Sequence, residues 1–478
     1  MDQEARPPLP DDAVKHAIRT LADIAGFPCV FLSRPTGGPL DIVYGRDPAE
    51  WDCALFVAMA PSGRGAPFPP TDVCLDGDAV FFFFDGQDPS PPVARSSGGT
   101  VVASDIVLAT HALITGQHET GMRKDRHGHP HVETSFLYRR NLLHIPIVNQ
   151  YAALIRDAFP SLAPLPPWPD GKAYAVALTH DVDYPEMIRW IEALRYIAGG
   201  NFKLSELAGI VSGRNHFWKF QDWIDLENRH GVRSAFYFCG KKGSLSRYFL
   251  VAPDPFYDVA SPKFREAISK LKKLGFEVGN HASYYAFRSA AAFIAEMETV
   301  EKSLGDKILG NRHHYWSLNH DYPAETAEIH DQAGLLYDTS ICYERRAGFR
   351  YGIASPFRFY NSKSATPAGT LEMPTAVMDN HLFGYRRLSR FETPEREIGE
   401  LLAQTRKVGG LFIADYHLRG LNETFFPGWG KTYQYLLEAI TSDPLCHCAT
   451  PAAIARHWID RENKLRQASA HECDGAHQ

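Results

Sequence analysis

The chain has 478 residues, which is too long for one ordinary hydrophobic core and predicts two or three domains. Hydrophobic residues make up 44% and charged residues 22%, a composition typical of a folded protein and not of a long disordered one. Because 50 lysines and arginines stand against 56 aspartates and glutamates, no basic surplus exists for binding a phosphate backbone, and we expect no nucleic-acid partner.

The N-terminal sequence MDQEARPPLPDD is acidic and rich in proline, whereas a secretory signal begins with basic residues and an apolar stretch. The longest aromatic run, AVFFFF at 79–84, is far shorter than the roughly 20 residues that span a bilayer. We therefore expect no integral membrane segment. The eight scattered cysteines form no disulfide framework, and these features together favour a cytoplasmic location.

Residues 1–165 mix strand-like and helix-like segments and predict a small N-terminal α/β domain of unassigned role. The predicted strands are CVFLS at 29–33, DIVYG at 41–45 and AVFFFF at 79–84, and the predicted helix is IVNQYAALIRDAF at 147–159. The segment 118–133 carries four histidines and could bind a metal, but a surface loop is the simpler interpretation because no spacing fixes a ligand geometry. A proline-rich stretch, 159–174, predicts an exposed connector with a domain boundary near residue 168.

Residues 172–460 alternate strand-like and helix-like segments, which predicts a parallel β/α domain, either a barrel or an open sheet. The strand-like segments are YAVALT, VRSAFYFCG, FEVGNH, KILGNRHHY, LLYDTSI and LFIADYH. One intervening helix is marked at both ends, because Ser261 can cap it, Pro262 suits its first position and Gly275 ends it. We expect residues 461–478 to form a polar C-terminal tail.

Polar side chains gather where these strands end. They are Asp181 and Asp183 after YAVALT, His281 in FEVGNH, Arg312, His313 and His314 after KILGN, and His417 in LFIADYH. Any one of them could simply cap a loop. Because the carboxyl ends of parallel strands share one face, however, four segments together predict a functional site there.

The polar segments carry motifs in a specific order. THDVD at 179–183 is similar to T-F-D-D-G, EVGNHASYY at 277–285 to E-I-G-N-H-[ST]-x-x-H, and RHHY at 312–315 to R-x-P-Y. In these motifs, residues 172–460 resemble the polysaccharide deacetylase family, metal-dependent hydrolases of N-acetyl groups. With GFRYG at 348–352 and LEMPTAVMD at 371–379, the whole chain is similar to two-domain relatives associated with bacterial surface-glycan synthesis. The resemblance implies a C-terminal distorted β/α barrel beside the smaller N-terminal α/β domain.

The resemblance also implies roles for the matched residues. Asp181 would be the catalytic base, Asp183 and His281 would be metal ligands, and His417 would be the acid that protonates the departing amine. Tyr285 stands where the family has its second metal histidine, which is the main departure from the motif.

A third metal ligand is needed in place of Tyr285, since zinc-like sites use about three protein ligands. His314 lies two residues beyond Arg312, so both side chains face one side of an extended segment while His313 turns away. His314 is therefore the expected ligand. One alternative is that it only hydrogen-bonds a loop carbonyl. Another is that His180 replaces it, although alternation along the strand would turn His180 away from Asp181.

Amide hydrolysis needs an activated water, a Lewis acid and a proton for the leaving amine. Arg312 would keep Asp181 ionised through its adjacent positive charge. Asp379 or Glu372 could orient His417, although either could merely cap a loop. The aromatic side chains that could stack on a sugar, although aromatics more often pack in a core, are Tyr284, Tyr315, Trp316 and Trp429.

The sequence thus predicts a hydrolase that removes N-acetyl groups from a sugar or glycan precursor. Its expected cofactor is a divalent ion, with zinc first and cobalt, nickel or manganese as alternatives. Two other functions stay open. One is a catalytically inactive glycan-binding protein, which Tyr285 motivates, and the other is a hydrolase of a different non-peptide C–N bond.

Overall fold

The computed structural model describes residues 10–32, 42–48, 53–60, 68–89, 91–96, 99–198, 203–244 and 254–475. In the N-terminal part, the strands are β1 Ile42–Gly45, β2 Leu55–Ala58, β3 Asp72–Asp76, β4 Ala79–Phe83, β5 Val93–Ser96 and β6 Gly99–Val102. Its α-helices are Asp11–Ala25, Ile106–Ile114, Phe136–Arg139 and Ile147–Ala158. The strands form a four-stranded sheet in the order β1-β2-β6-β5 and a separate antiparallel hairpin of β3 and β4.

Two of the three strands predicted in this part are present, as β1 and β4, and so is the predicted helix. The strand predicted at 29–33 is wrong for residues 29–32, which have no regular secondary structure, while residue 33 lies outside the described ranges. The backbone N–H of Cys29 instead donates a hydrogen bond to Ser469 Oγ, 3.1 Å away on the C-terminal helix. Here a long-range contact replaces the strand pairing that the β-branched and aromatic composition favours.

In the C-terminal part, the strands are β7 Tyr174–Val182, β8 Ala235–Phe238, β9 Glu277–Ala282, β10 Gly310–His313, β11 Tyr337–Asp338, β12 Tyr360–Asn361, β13 Thr366–Pro367, β14 Leu371–Glu372, β15 Val377–Met378, β16 Leu411–Asp415 and β17 Cys446–Cys448. Its α-helices are Arg189–Ala198, Leu204–Ser212, Phe220–His230, Pro262–Lys273, Ala290–Leu304, Pro323–Ala333, Asp379–Leu382, Pro394–Val408, Trp429–Ser442 and Pro451–Gly475. The main sheet has the order β14-β11-β10-β9-β8-β7-β16-β15, and β17 also pairs with β7. All of its pairings are parallel, which confirms the predicted parallel β/α architecture.

The main sheet is curled. β10 and β16 are four strand positions apart in the sheet order, so a flat sheet would separate their backbones by roughly 19 Å. Nevertheless, Arg312 Nη1 of β10 lies 3.0 Å from Asp415 Oδ1 of β16. Because the curl brings distant strands together on its concave side, side chains from β7, β9, β10 and β16 can share one site.

The N-terminal part packs directly against the barrel-like part. Glu119 and Arg350 form a fully buried two-point ion pair between them, with Nε–Oε1 and Nη2–Oε2 distances of 2.9 and 2.7 Å. One hydrophobic cluster also includes side chains of both parts, among them Phe82 and Ile147 with Phe357. The GFRYG segment thus contains the arginine that binds this carboxylate.

The predicted connector and tail are partly built into this packing. Residues 160–164 are exposed, but Trp168 is buried and donates its indole N–H to the carbonyl of Gly409 at 2.9 Å. The boundary predicted at 460/461 falls inside the helix Pro451–Gly475, in which Arg461 and Leu465 are buried. Among the described residues, no helix combines the length and the apolar character needed to cross a membrane.

Candidate active site

Three potential metal ligands converge at the carboxyl ends of the main sheet. Asp183 directly follows β7, His281 lies on β9 and His314 directly follows β10. His281 Nε2 lies 3.0 Å, and His314 Nε2 3.8 Å, from Asp183 Oδ1. One ligand atom from each residue lies within 4.8 Å of the other two, and all three side chains are buried. The structure therefore brings together the three residues predicted to hold the metal.

The orientation of His281 is fixed by the neighbouring strand. Its Nδ1 lies 2.9 Å from the carbonyl oxygen of Arg312, and a carbonyl can only accept, so Nδ1 carries a proton. Nε2 then faces Asp183. A backbone carbonyl that holds one ring nitrogen so that the other faces a metal is the usual arrangement for a metal-binding histidine.

His314 has the environment of a ligand and not of a loop-capping residue. It is buried, yet neither ring nitrogen has a hydrogen-bond partner, and Nδ1 lies 3.6 Å from Asp254 Oδ1. Leaving such groups unpaired costs on the order of 1–3 kcal/mol. A divalent ion shared with Asp183 and His281 would satisfy Nε2, so the residues present fit a bound metal.

The backbone beside His314 is strained. Tyr315 and Trp316 have φ angles of 58° and 53°, in the left-handed region that non-glycine residues avoid at a cost of roughly 1–2 kcal/mol each. Strained backbone of this kind concentrates at functional sites because the surrounding packing must hold it. Here the strained residues determine the direction of the chain just after β10, next to the cluster of potential ligands.

Asp181 is held by a buried guanidinium group. Arg312 Nη1 donates to Asp181 Oδ1 at 3.0 Å and to Thr179 Oγ1 at 2.8 Å, while its Nε and Nη2 donate to Thr339 and Thr375 hydroxyls, each at 3.1 Å. Burial by itself would raise the pKa of Asp181, but the charges of His281 and Arg312 hold it below its ordinary value. Asp181 is therefore a carboxylate that can accept a proton.

His417 lies two residues beyond the end of β16 and faces Asp183. Its Nδ1 donates to Asp379 Oδ1 at 2.8 Å, its backbone N–H donates to Asp379 Oδ2 at 2.7 Å, and its Nε2 lies 3.2 Å from Asp183 Oδ2. Burial disfavours the imidazolium, but the carboxylates of Asp379 and Asp183 raise the pKa of His417 well above its ordinary value. Of the two carboxylates proposed to orient His417, Asp379 is the one that contacts it.

Sequence reasoning missed Asp415, the last residue of β16. It is fully buried, and its Oδ1 lies 3.0 Å from the same Arg312 Nη1 that contacts Asp181. Burial together with the charge of Asp181 raises the pKa of Asp415 well above its ordinary value. The signal was available, because Asp415 precedes His417 by two residues and an extended segment turns such residues to the same side. Asp254, which faces His314, was also missed and lies in no recognisable pattern.

Other predicted residues lie elsewhere. Glu372 is on the far edge strand β14, where its Oε1 accepts the backbone N–H of Ile341 at 3.0 Å, so it does not contact His417. Trp429 stacks on Phe383 with ring centroids 5.4 Å apart, as a core aromatic does. His180 turns to the opposite face of β7, with Nε2 2.7 Å from Glu227 Oε1.

The remaining aromatic and histidine residues divide between the rim of the site and the core. Tyr315 lies beside His314, with ring centroids 5.0 Å apart, and so occupies the rim. Tyr285 contacts Arg288, whose guanidinium carbon lies 4.4 Å from the ring centroid. His313 turns away from the site and lies 2.9 Å, Nε2 to Nε2, from His330.

No family model matches the amino-acid sequence, and no curated protein matches it. Solved structures similar to the chain include a putative polysaccharide deacetylase from Mycobacterium smegmatis, at 17% identity over 63% of this chain and 96% of that one, with a TM-score of 0.41. A probable polysaccharide deacetylase from Pseudomonas aeruginosa PAO1 and the Puue allantoinase each share 15% identity over 63% of this chain and 95% of theirs, with TM-scores of 0.41. Structural neighbours at low sequence identity thus include polysaccharide deacetylases.

Proposed function

We propose that the chain is a metal-dependent hydrolase that removes N-acetyl groups from a sugar or a glycan precursor. One observation carries the proposal: Asp183, His281 and His314 form a potential metal site with a proton acceptor, Asp181, and a proton donor, His417, beside it. Hydrolysis of an unactivated amide needs all of these elements at once. Zinc is the first candidate ion because imidazole and carboxylate are its usual ligands.

Each residue has a separate task in this mechanism. A bound ion would supply Lewis-acid polarisation of the acetyl carbonyl. Asp181 accepts a proton from the attacking water, and Arg312 keeps its carboxylate ionised between proton transfers. His417 donates a proton to the departing amine nitrogen, while Asp379 holds its Nδ1–H and so aims Nε2 at the site.

The proposal extends to the setting of the reaction. Residues 172–460 would be the catalytic part, and residues 1–165 a second domain that packs beside it. Motif similarity to two-domain relatives supports a substrate from bacterial surface-polysaccharide synthesis. The eight scattered cysteines, which form no disulfide framework, support a cytoplasmic location. The two rival functions are an inactive glycan-binding protein, for which Tyr285 is the argument, and a hydrolase of another non-peptide C–N bond.

One experiment separates these functions. The full chain is stripped with a chelator, reloaded with zinc, and incubated with N-acetylated sugar nucleotides and glycan oligomers while free acetate is measured. We expect acetate release by the zinc-loaded chain and none by the stripped chain. Glycan binding by a zinc-free chain that releases no acetate after reloading would support the inactive protein, and release of a different product from cyclic amides would support the other hydrolase.

The third ligand can be tested by metal affinity. Since His314 offers a direct ligand, His314→Ala is expected to weaken zinc binding at this site by more than the roughly 10–100-fold typical of losing an outer hydrogen-bond partner. His313→Gln is the matched control, because this neighbour faces His330 and the amide can keep a polar contact there. Competition titration with a zinc-binding dye measures both. Equal zinc affinity in the two variants would contradict the assignment of His314.

A further inference from the structure

We infer that the chain has a second divalent-cation site, formed by Asp125 and His129 of the histidine-rich segment and by Glu344 of the barrel-like part. The segment 118–133 is not a detached surface loop, because His129 is buried against the barrel-like part and only 5% exposed. The ligand set of one imidazole and two carboxylates suits zinc or a similar transition-metal ion.

The three ligand atoms are spaced for an ion and not for hydrogen bonds. His129 Nδ1 lies 3.8 Å from Asp125 Oδ2 and 3.9 Å from Glu344 Oε2, and one ligand atom from each of the three residues lies within 4.8 Å of the other two. Donor–acceptor distances in hydrogen bonds between nitrogen and oxygen reach only about 3.2 Å. A central ion at such separations would lie roughly 2.2–2.4 Å from each atom, so shifts of a few tenths of an ångström would reach zinc-ligand distances.

Both carboxylates are held with one oxygen turned toward the centre of the cluster. Asp125 Oδ1 accepts the backbone N–H groups of His127 and His129, at 2.8 and 2.9 Å, so Oδ2 is the oxygen that faces the imidazole. Glu344 Oε1 accepts the Tyr385 hydroxyl at 3.2 Å, so Oε2 faces it likewise. Outer hydrogen bonds of this kind orient the carboxylate ligands of metal sites.

The surroundings of the His129 ring indicate that it binds a further group. It is buried and neither of its ring nitrogens has a hydrogen-bond partner, which is costly for a buried polar group. The cluster His313, His330 and Asp338 provides the contrast. There the two Nε2 atoms already lie 2.9 Å apart in a hydrogen bond, so a shared proton pairs these two nitrogens with each other. Among the described residues outside the candidate active site, the cluster around His129 is the one that combines an imidazole without a hydrogen-bond partner and two oriented carboxylates.

The second site would anchor a loop over the rim of the candidate active site. In the sequence, His127 lies midway between the two proposed ligands, Asp125 and His129. Its Nδ1 is 2.7 Å from the Tyr284 hydroxyl. Its ring also lies 5.6 Å from that of Tyr315. An ion at Asp125, His129 and Glu344 would therefore fix His127 against the wall next to His314.

The test counts zinc in variants of the full chain. Asp183→Asn with His281→Ala removes two ligands of the candidate active site, and zinc per chain is measured after dialysis against free zinc. We expect this double variant to keep one zinc ion, and to lose it when His129→Ala or Glu344→Gln is added. His131→Ala is the matched control, since this histidine of the same loop faces Glu133 instead. Zinc should also slow hydrogen exchange at residues 123–131 in the double variant.

Zinc per chain is measured without substrate. Failure of the deacetylase proposal would therefore not affect the inference of a second zinc site. Circular dichroism identifies variants that do not fold. If His129→Ala does not fold, the zinc content of Glu344→Gln, the more conservative change, decides whether the second site exists. The inference is overturned if the folded double variant holds no zinc. It is equally overturned if folded Glu344→Gln, in that background, retains the full zinc content.

Discussion

Asp181→Asn is expected to keep the metal while losing nearly all turnover. The amide cannot accept a proton from water, and removal of a general base typically costs about 10²–10⁴ in rate. The Arg312 contact and the neighbouring threonines should hold the asparagine in place, so the fold and the ligands remain. Acetate release and zinc content are measured on the same preparation.

Asp183→Asn is the informative partner of this variant, because it should lose both turnover and the zinc affinity of the candidate active site. Asp222→Asn, on the surface of the helix Phe220–His230, controls for the change of charge and should alter neither. If Asp181→Asn and Asp183→Asn lost zinc to the same extent, Asp181 would have to be treated as a ligand, and the assignment of the base would be withdrawn.

His417→Ala should slow hydrolysis of the natural amide by a similar factor, about 10²–10⁴, without loss of zinc. An amine is a poor leaving group unless its nitrogen is protonated, and His417 is the donor that Asp379 orients. An activated aryl ester has a leaving group that needs no proton. The deficit should therefore be much smaller for such an ester than for the amide, and the ratio of the two deficits is the measured quantity.

A merely structural role for His417 would lower both rates together, so equal deficits on ester and amide would remove it from the proposed mechanism. Asp379→Asn tests the same contact from the other side. The amide can still accept from Nδ1–H but carries no charge, so we expect an intermediate deficit on the amide. His457→Ala, on the distant C-terminal helix, is the control for loss of an imidazole.

Periodicity along single strands was enough to predict part of the site. Side chains alternate along an extended strand, so the order of residues 179–183 placed Asp181 and Asp183 on one side and His180 on the other, as the contact of His180 with Glu227 bears out. The same rule separated His314 from His313. Alternating strands and helices likewise predicted the parallel sheet, because each crossover helix returns the chain in the same direction.

The tertiary structure decided everything that depends on contacts between distant segments. Asp379 and Glu372 are equally plausible partners of His417 in the sequence, but β14 and β15 occupy opposite edges of the sheet, and only Asp379 lies beside β16. The curl that brings Arg312 to Asp415 and the docking of His129 against Glu344 follow from packing across about a hundred residues or more. No local period encodes such contacts, because hydrophobic burial is non-directional and fixes only which faces are buried, while the assembled layers fix which side chains meet.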